Sequence, residues 1–223
     1  MTLPDAVVDA SIPCAPLAHN ATCLPAAAMY ALFFEVRPKP GHLPHYFEHV
    51  DRLRPALARH QGLLFLDRYR SLSDEAVLLS HQHWRDEAAI LAWRRDSLHL
   101  QSQQAGRYAH FADYRIRVAS LACQWVDGQF SDAEQDLAQA SDQGRFVIAA
   151  YSQTVDGQVP ANAGFESVNH QGQYISLQDA GNRSLAQTSV RAWGQVPGLQ
   201  SALAFRVVRD YGMLERKEAP GPD

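Results

Sequence analysis

Two hydrophobic periods alternate along this chain. Tyr30–Arg37 is rich in aromatic and β-branched residues, places Leu32, Phe34 and Val36 on one face, and reads as a strand ended by Pro38, Pro40 and Gly41. From Leu43 to His60 the apolar positions Leu43, Tyr46 or Phe47, Val50, Leu53 and Leu57 return at helical spacing. Pro55 predicts a kink or a break into two short helices, and Gly62 a left-handed helix end. Leu63–Arg70 and Glu75–His83 follow as two strands across the turn Ser71-Leu-Ser-Asp74, which makes an antiparallel hairpin. A second helix spans about Arg85–Gln104, with Asp86 and Glu87 at its positive end and Ala89 over Trp93. Phe111–Leu121 completes the set, with Tyr114, Ile116 and Val118 on one face and Arg115 and Arg117 on the other.

The resulting order, β-α-β-β-α-β, lets two helices cover one face of a four-stranded antiparallel sheet. Both strand faces carry Phe, Leu or Val, so the uncovered face calls for a second sheet. The rest of the chain supplies one. Arg145–Val155, Gly164–His170, Gly172–Gln178 and Leu199–Asp210 read as strands, and Leu185–Val196 as a short helix. Phe65 precedes Trp93 by the same spacing that separates Phe165 from Trp193, which suggests a degenerate duplication. The first helix has no counterpart between Val155 and Gly164. The expected units are an arm (1–29), a first domain (30–123), an acidic connector (124–144), a reduced second domain (145–212) and a tail (213–223). Residues 133–140 form either a connecting helix or part of a solvated linker.

Charge adds a contrast between the halves. Residues 30–123 carry thirteen basic against ten acidic side chains, and residues 124–223 seven against twelve. Eighteen of the twenty basic residues are arginine, which suits fixed pairs with carboxylates better than a diffuse cationic coat. A formal net charge of −4 gives no reason to expect a nucleic-acid partner. Cys14, Cys23 and Cys123 are an odd set without a secretory leader, so reduced thiols and a cytoplasmic location are expected. No apolar run reaches the length of a membrane span. Phosphate loops, nucleophile elbows, Cys-x-x-Cys pairs and calcium loops find no match.

Several stretches together resemble the antibiotic biosynthesis monooxygenase domains of the dimeric α/β-barrel type. They are Phe-Phe-Glu-Val-Arg-Pro at 33–38, Gly62-Leu-Leu-Phe-Leu-Asp-Arg-Tyr-Arg-Ser71, Trp84-Arg-Asp-Glu-Ala-Ala-Ile-Leu-Ala-Trp-Arg94, His99, Gly106-Arg107 and Phe111-Ala-Asp-Tyr-Arg-Ile-Arg-Val-Ala119. The resemblance implies an α+β fold of tandem ferredoxin-like domains whose antiparallel sheets pair into a barrel. It also implies a pocket between sheet and helices, and an intrachain pseudo-dimer that associates further as a homodimer. Some members of that family act without cofactor on quinols or aromatic polyketides, and others degrade haem. The haem-degrading branch places an asparagine on the first strand and a histidine ten residues after the helix tryptophan. Here those positions hold Phe33 or Phe34 and Gln103, with His99 more than a helical turn too early, which counts against haem degradation.

The functional expectation is a cofactor-independent monooxygenase acting on an aromatic or quinol-like small molecule. The alternative is a non-catalytic small-molecule-binding or assembly protein of the same fold. His83 or His99 would be the base that deprotonates a phenol or quinol, since a free imidazole near pKa 6.5 is suited to that at neutral pH. Phe34, Trp84, Trp93, Arg68 and Tyr114 would line the substrate pocket, with arginine stabilising developing oxygen charge. No cofactor is expected. His81 and His83 share a strand face, and His45 and His49 a helix face, but no spacing supplies a third ligand, so no metal centre is expected either.

Overall fold

The computed structural model describes residues 29–133, 141–154 and 161–221. The first domain follows the predicted order: β1 (Tyr30–Pro38), α1 (Leu43–Ala58), β2 (Leu63–Ser71), β3 (Leu78–Trp84), α2 (Glu87–Arg95), α3 (Ser97–Ala105), a π-helical turn (Gly106–His110) and β4 (Phe111–Val126). β5 (Gln129–Asp132), β6 (Gln143–Ser152), β7 (Ala163–Ser167), β8 (Tyr174–Asn182), α4 (Arg183–Trp193) and β9 (Leu199–Gly212) complete it. The expected arm lies outside the described residues, except Met29. So do residues 134–140 of the connector and 155–160, where a counterpart of the first helix was sought.

The two halves pair their strands in the same order. The first half orders its strands β4-β1-β3-β2 and the second β9-β6-β8-β7, each antiparallel throughout. The halves join twice, β4 to β9 and β2 to β7, so eight strands close into a barrel with β5 appended to β4. Closure leaves those eight strands no free edge. The barrel interior is one apolar core built from both halves, with Phe33, Leu79, Leu121, Val147, Phe165, Ile175 and Phe205 among its members. This is why the strands are apolar on both faces: one side fills the barrel, the other lies under helices. α1–α3 cover the outside of the first half, while α4 packs Ala186, Val190 and Trp193 on the second.

Local differences from the predicted elements have simple causes. α1 is one helix in spite of Pro55. The second helix is two, because the Asp86 carboxylate accepts from Ala89 N at 2.7 Å and Asp96 then caps a new helix through Leu98 N and His99 N. Gly62 does not adopt the left-handed conformation; what demands glycine there is crowding, since a Cβ would lie 2.3 Å from the Ala89 Cβ. β4 extends past Leu121 because β9 continues to pair with it, and Ala122 and Cys123 are buried beneath α4. The chain then folds back as β5 through Asp127 and Gly128, both at positive φ, so the acidic connector begins as a hairpin. Among the described residues no helix is long and apolar enough to cross a membrane.

Candidate active site

β3 decides the geometry of the site. It runs between β1 and β2, and all seven of its residues are buried, because one face looks into the barrel and the other at the helices. Side chains alternate, so Ser80 and Gln82 face the helix layer while His81 and His83 point into the barrel. A cavity of about 290 Å³ lies between β1–β4 and the helix layer of α1–α3. Its walls are mostly apolar, with Leu32, Phe34, Val50, Leu53, Ile90 and Trp93 contributing. One end is closed from the second half and the tail: Arg94 donates to the Tyr211 hydroxyl at 3.2 Å and the Pro220 carbonyl at 3.3 Å, and Arg216 donates to the Tyr114 hydroxyl at 2.8 Å.

Four of the five predicted pocket residues, Phe34, Arg68, Trp93 and Tyr114, line this cavity together with His99. Trp84 does not. Its indole is fully buried one layer behind, where Nε1 donates to Gln82 Oε1 at 3.0 Å, and Gln82 Nε2 donates to Ser80 Oγ at 3.2 Å. The tryptophan therefore orients the two polar side chains that β3 does present to the cavity. His83 is also elsewhere, because strand alternation puts it on the barrel side of the sheet, away from His99. There it forms a compact group with His81 and Tyr151: His83 Nε2 lies 3.0 Å from His81 Nε2 and 3.1 Å from the Tyr151 oxygen, and His81 Nε2 lies 2.6 Å from that oxygen. Burial lowers the His83 pKa to about 3.

His99 is held by its own helix. The ring stacks on Trp93 with centroids 4.4 Å apart, and Nδ1 donates to the Trp93 carbonyl at 2.9 Å. That bond leaves Nε2 as an acceptor. Burial lowers the His99 pKa to about 4, so the ring is neutral at physiological pH. Arg68, on the helix-facing side of β2, lies beside the buried phenol of Tyr46. Its Nε is buried without a hydrogen-bond partner among the described residues, although such donors are almost always satisfied. A guanidinium in the lining of a mostly apolar cavity is a site for an anionic or strongly polarised oxygen.

Sequence reasoning missed Ser80, Gln82, Tyr46, Gln103 and the contributions of Tyr211 and Arg216. The first two gave no signal of their own, since Ser80, His81, Gln82 and His83 form one polar stretch of β3 in which either face could have met the cavity. The last two come from the distant C-terminal end and carry no local signal.

Residues 29–105 match the family described as antibiotic biosynthesis monooxygenase. A curated relative from Pyricularia oryzae (strain 70-15), named jasmonate monooxygenase, is 29% identical over 211 residues, which cover 86% of this chain and 97% of the relative. The first half of the chain is thus similar to antibiotic biosynthesis monooxygenase domains. The match begins just before β1 and ends with α3, so it contains most of the elements that wall the cavity. A crystal structure of aldoxime dehydratase in complex with butyraldoxime aligns with a TM-score of 0.50 at 8% identity, over 82% of this chain and 80% of that one. At that identity the likeness is one of fold, and it extends over both halves. An anthrone oxidase-like protein aligns over 87% of this chain and 97% of its own, with a TM-score of 0.40 and 11% identity. Function at the level of the family is monooxygenase-like.

Proposed function

We propose that the protein is a monooxygenase for a small, largely apolar molecule that presents one acidic oxygen, an aromatic phenol or quinol being the leading class, and that it uses dioxygen without a cofactor. The observation that carries this reading is the Arg68 guanidinium in the lining of a mostly apolar cavity that His99 also lines. The substrate oxygen sits against Arg68, which favours the anionic form, while the ring lies among Phe34, Trp93 and Tyr114. His99 Nε2 accepts the proton. Its low pKa makes it a weak base for free phenol, and the guanidinium offsets this by lowering the pKa of the bound substrate. The electron-rich anion then reacts with dioxygen. For a reacting carbon with two hydrogens the step balances with oxygen as sole oxidant: one oxygen atom becomes the carbonyl, and the other leaves as water with both hydrogens. The name of the fungal relative supports an acidic, mostly apolar substrate.

Oxygen uptake should be measured with a panel of hydroquinones, anthrone-type compounds and jasmonic acid, in wild type, Arg68→Met and His99→Gln. The expected result is turnover of at least one compound, with kcat/KM lowered roughly 100-fold or more in Arg68→Met. His99→Gln should lower kcat more than it raises KM. Binding without oxygen uptake across the whole panel would instead assign the fold a binding role, and equal rates in all three proteins would remove Arg68 and His99 from the chemistry.

A further inference from the structure

Three histidines converge beside the cavity. His42 precedes α1, His45 lies in its first turn, and His110 ends the π-helical turn that leads into β4. Their ligating nitrogens all lie within 4.8 Å of one another. His42 Nδ1 and His110 Nδ1 are 3.0 Å apart, and the His45 and His110 rings are 4.7 Å apart between centroids. Ligands on a tetrahedral zinc ion with bonds of about 2.0–2.1 Å sit about 3.3 Å from each other, so small side-chain rotations suffice to close the set.

The surroundings suit metal ligation better than a chance meeting of surface rings. Glu48 Oε2 accepts from His45 Nδ1 at 3.1 Å, which fixes the tautomer and leaves Nε2 with its lone pair. The two segments are tied by backbone bonds, Lys39 N to the His110 carbonyl and His42 N to the Lys39 carbonyl, both 2.9 Å. His49 is close to His110, but its Nδ1 is already engaged by Ser102 Oγ and Arg52 Nη2 at 3.1 and 2.9 Å.

We propose that His42, His45 and His110 bind one divalent late first-row transition ion, zinc or a similar imidazole-seeking cation, with solvent completing the coordination. The ion would clamp the start of α1 to the start of β4. Those elements carry Tyr46, Val50, Phe111 and Tyr114 into the cavity wall, so the clamp braces the site without taking part in the oxygen chemistry.

The test uses the full-length chain and needs no substrate. Metal-free protein is titrated with Co²⁺, followed by visible d–d absorption, and with Zn²⁺, followed by calorimetry and thermal melting. One ion per chain, a higher melting temperature with Zn²⁺ and no change with Mg²⁺ are expected. His45→Ala and His110→Gln, each checked for fold by circular dichroism, should bind on the order of tenfold to a hundredfold more weakly. His170→Ala, far from the cluster, should bind as wild type. Substoichiometric binding, or equal affinity in wild type and both ligand variants, would overturn the proposal.

Discussion

His81 and His83 are fully buried bases. His81 Nδ1 donates to the Leu32 carbonyl at 3.3 Å, so its Nε2 must accept the Tyr151 hydroxyl proton, and His83 Nε2 then donates to the Tyr151 oxygen. Every member of this group is neutral. Desolvation lowers the His81 pKa well below the ordinary value, the repulsion that a second proton on His83 would exert adds to this, and desolvation lowers that of His83 to about 3. The unfolded chain takes up these protons near pH 6.5 and the folded chain does not, so the stabilisation is complete above 6.5 and lost as pH falls toward 3. Each histidine contributes up to about 1.4 kcal/mol per pH unit inside that window. Urea midpoints should therefore decline from pH 7 to pH 5, and the decline should be shallower in His83→Gln, whose amide still reaches Tyr151. An unchanged slope would mean that His83 titrates normally in the folded state.

At the scale of elements, the cavity depends on where α2 sits, and Gly62 sets that. The start of β2 packs directly on the first turn of α2, with Arg85 N donating to the Gly62 carbonyl at 2.8 Å. Gly62→Ala must push Ala89 away, and Trp93, one turn along the same helix, moves with it. Overpacking of this kind costs about 1–3 kcal/mol. Gly181→Ala is the control, since nothing lies within 4 Å of a Cβ there and it should melt within a degree or two of wild type. Equal melting temperatures for both variants would contradict the close packing of β2 on α2.

For the whole molecule, the barrel interior and one buried cation join the halves. Arg117 on β4 donates to Glu35 on β1 and to Asp179 on β8, each at 2.6 Å, and it is 4% exposed. Arg117→Met leaves two carboxylates at the barrel end without their shared partner. About 3 kcal/mol should be lost, toward the low end for a broken buried pair because Asp179 can regain water. Adding Asp179→Asn should recover part of it. Because one core contains residues from both halves, unfolding should remain a single transition, seen alike by Trp93 in the first half and Trp193 in the second. Separate transitions from single-tryptophan variants would show that the halves fold independently.

The sequence alone determined the order of elements and the need for a second sheet, because period-2 apolarity on both faces of β1, β2 and β4 admits few arrangements. It also determined the residues that match the family, and with them Phe34, Arg68, Trp93, His99 and Tyr114, all of which face one cavity. Tertiary structure decided which side of the sheet each β3 residue serves. A strand buried on both faces shows no polarity difference, so His83 and Gln82 were indistinguishable until β3 was placed between barrel and helices. It also decided what closes the cavity and brings His110 to His42, since those contacts join residues far apart in the chain and exist only once the backbone has folded.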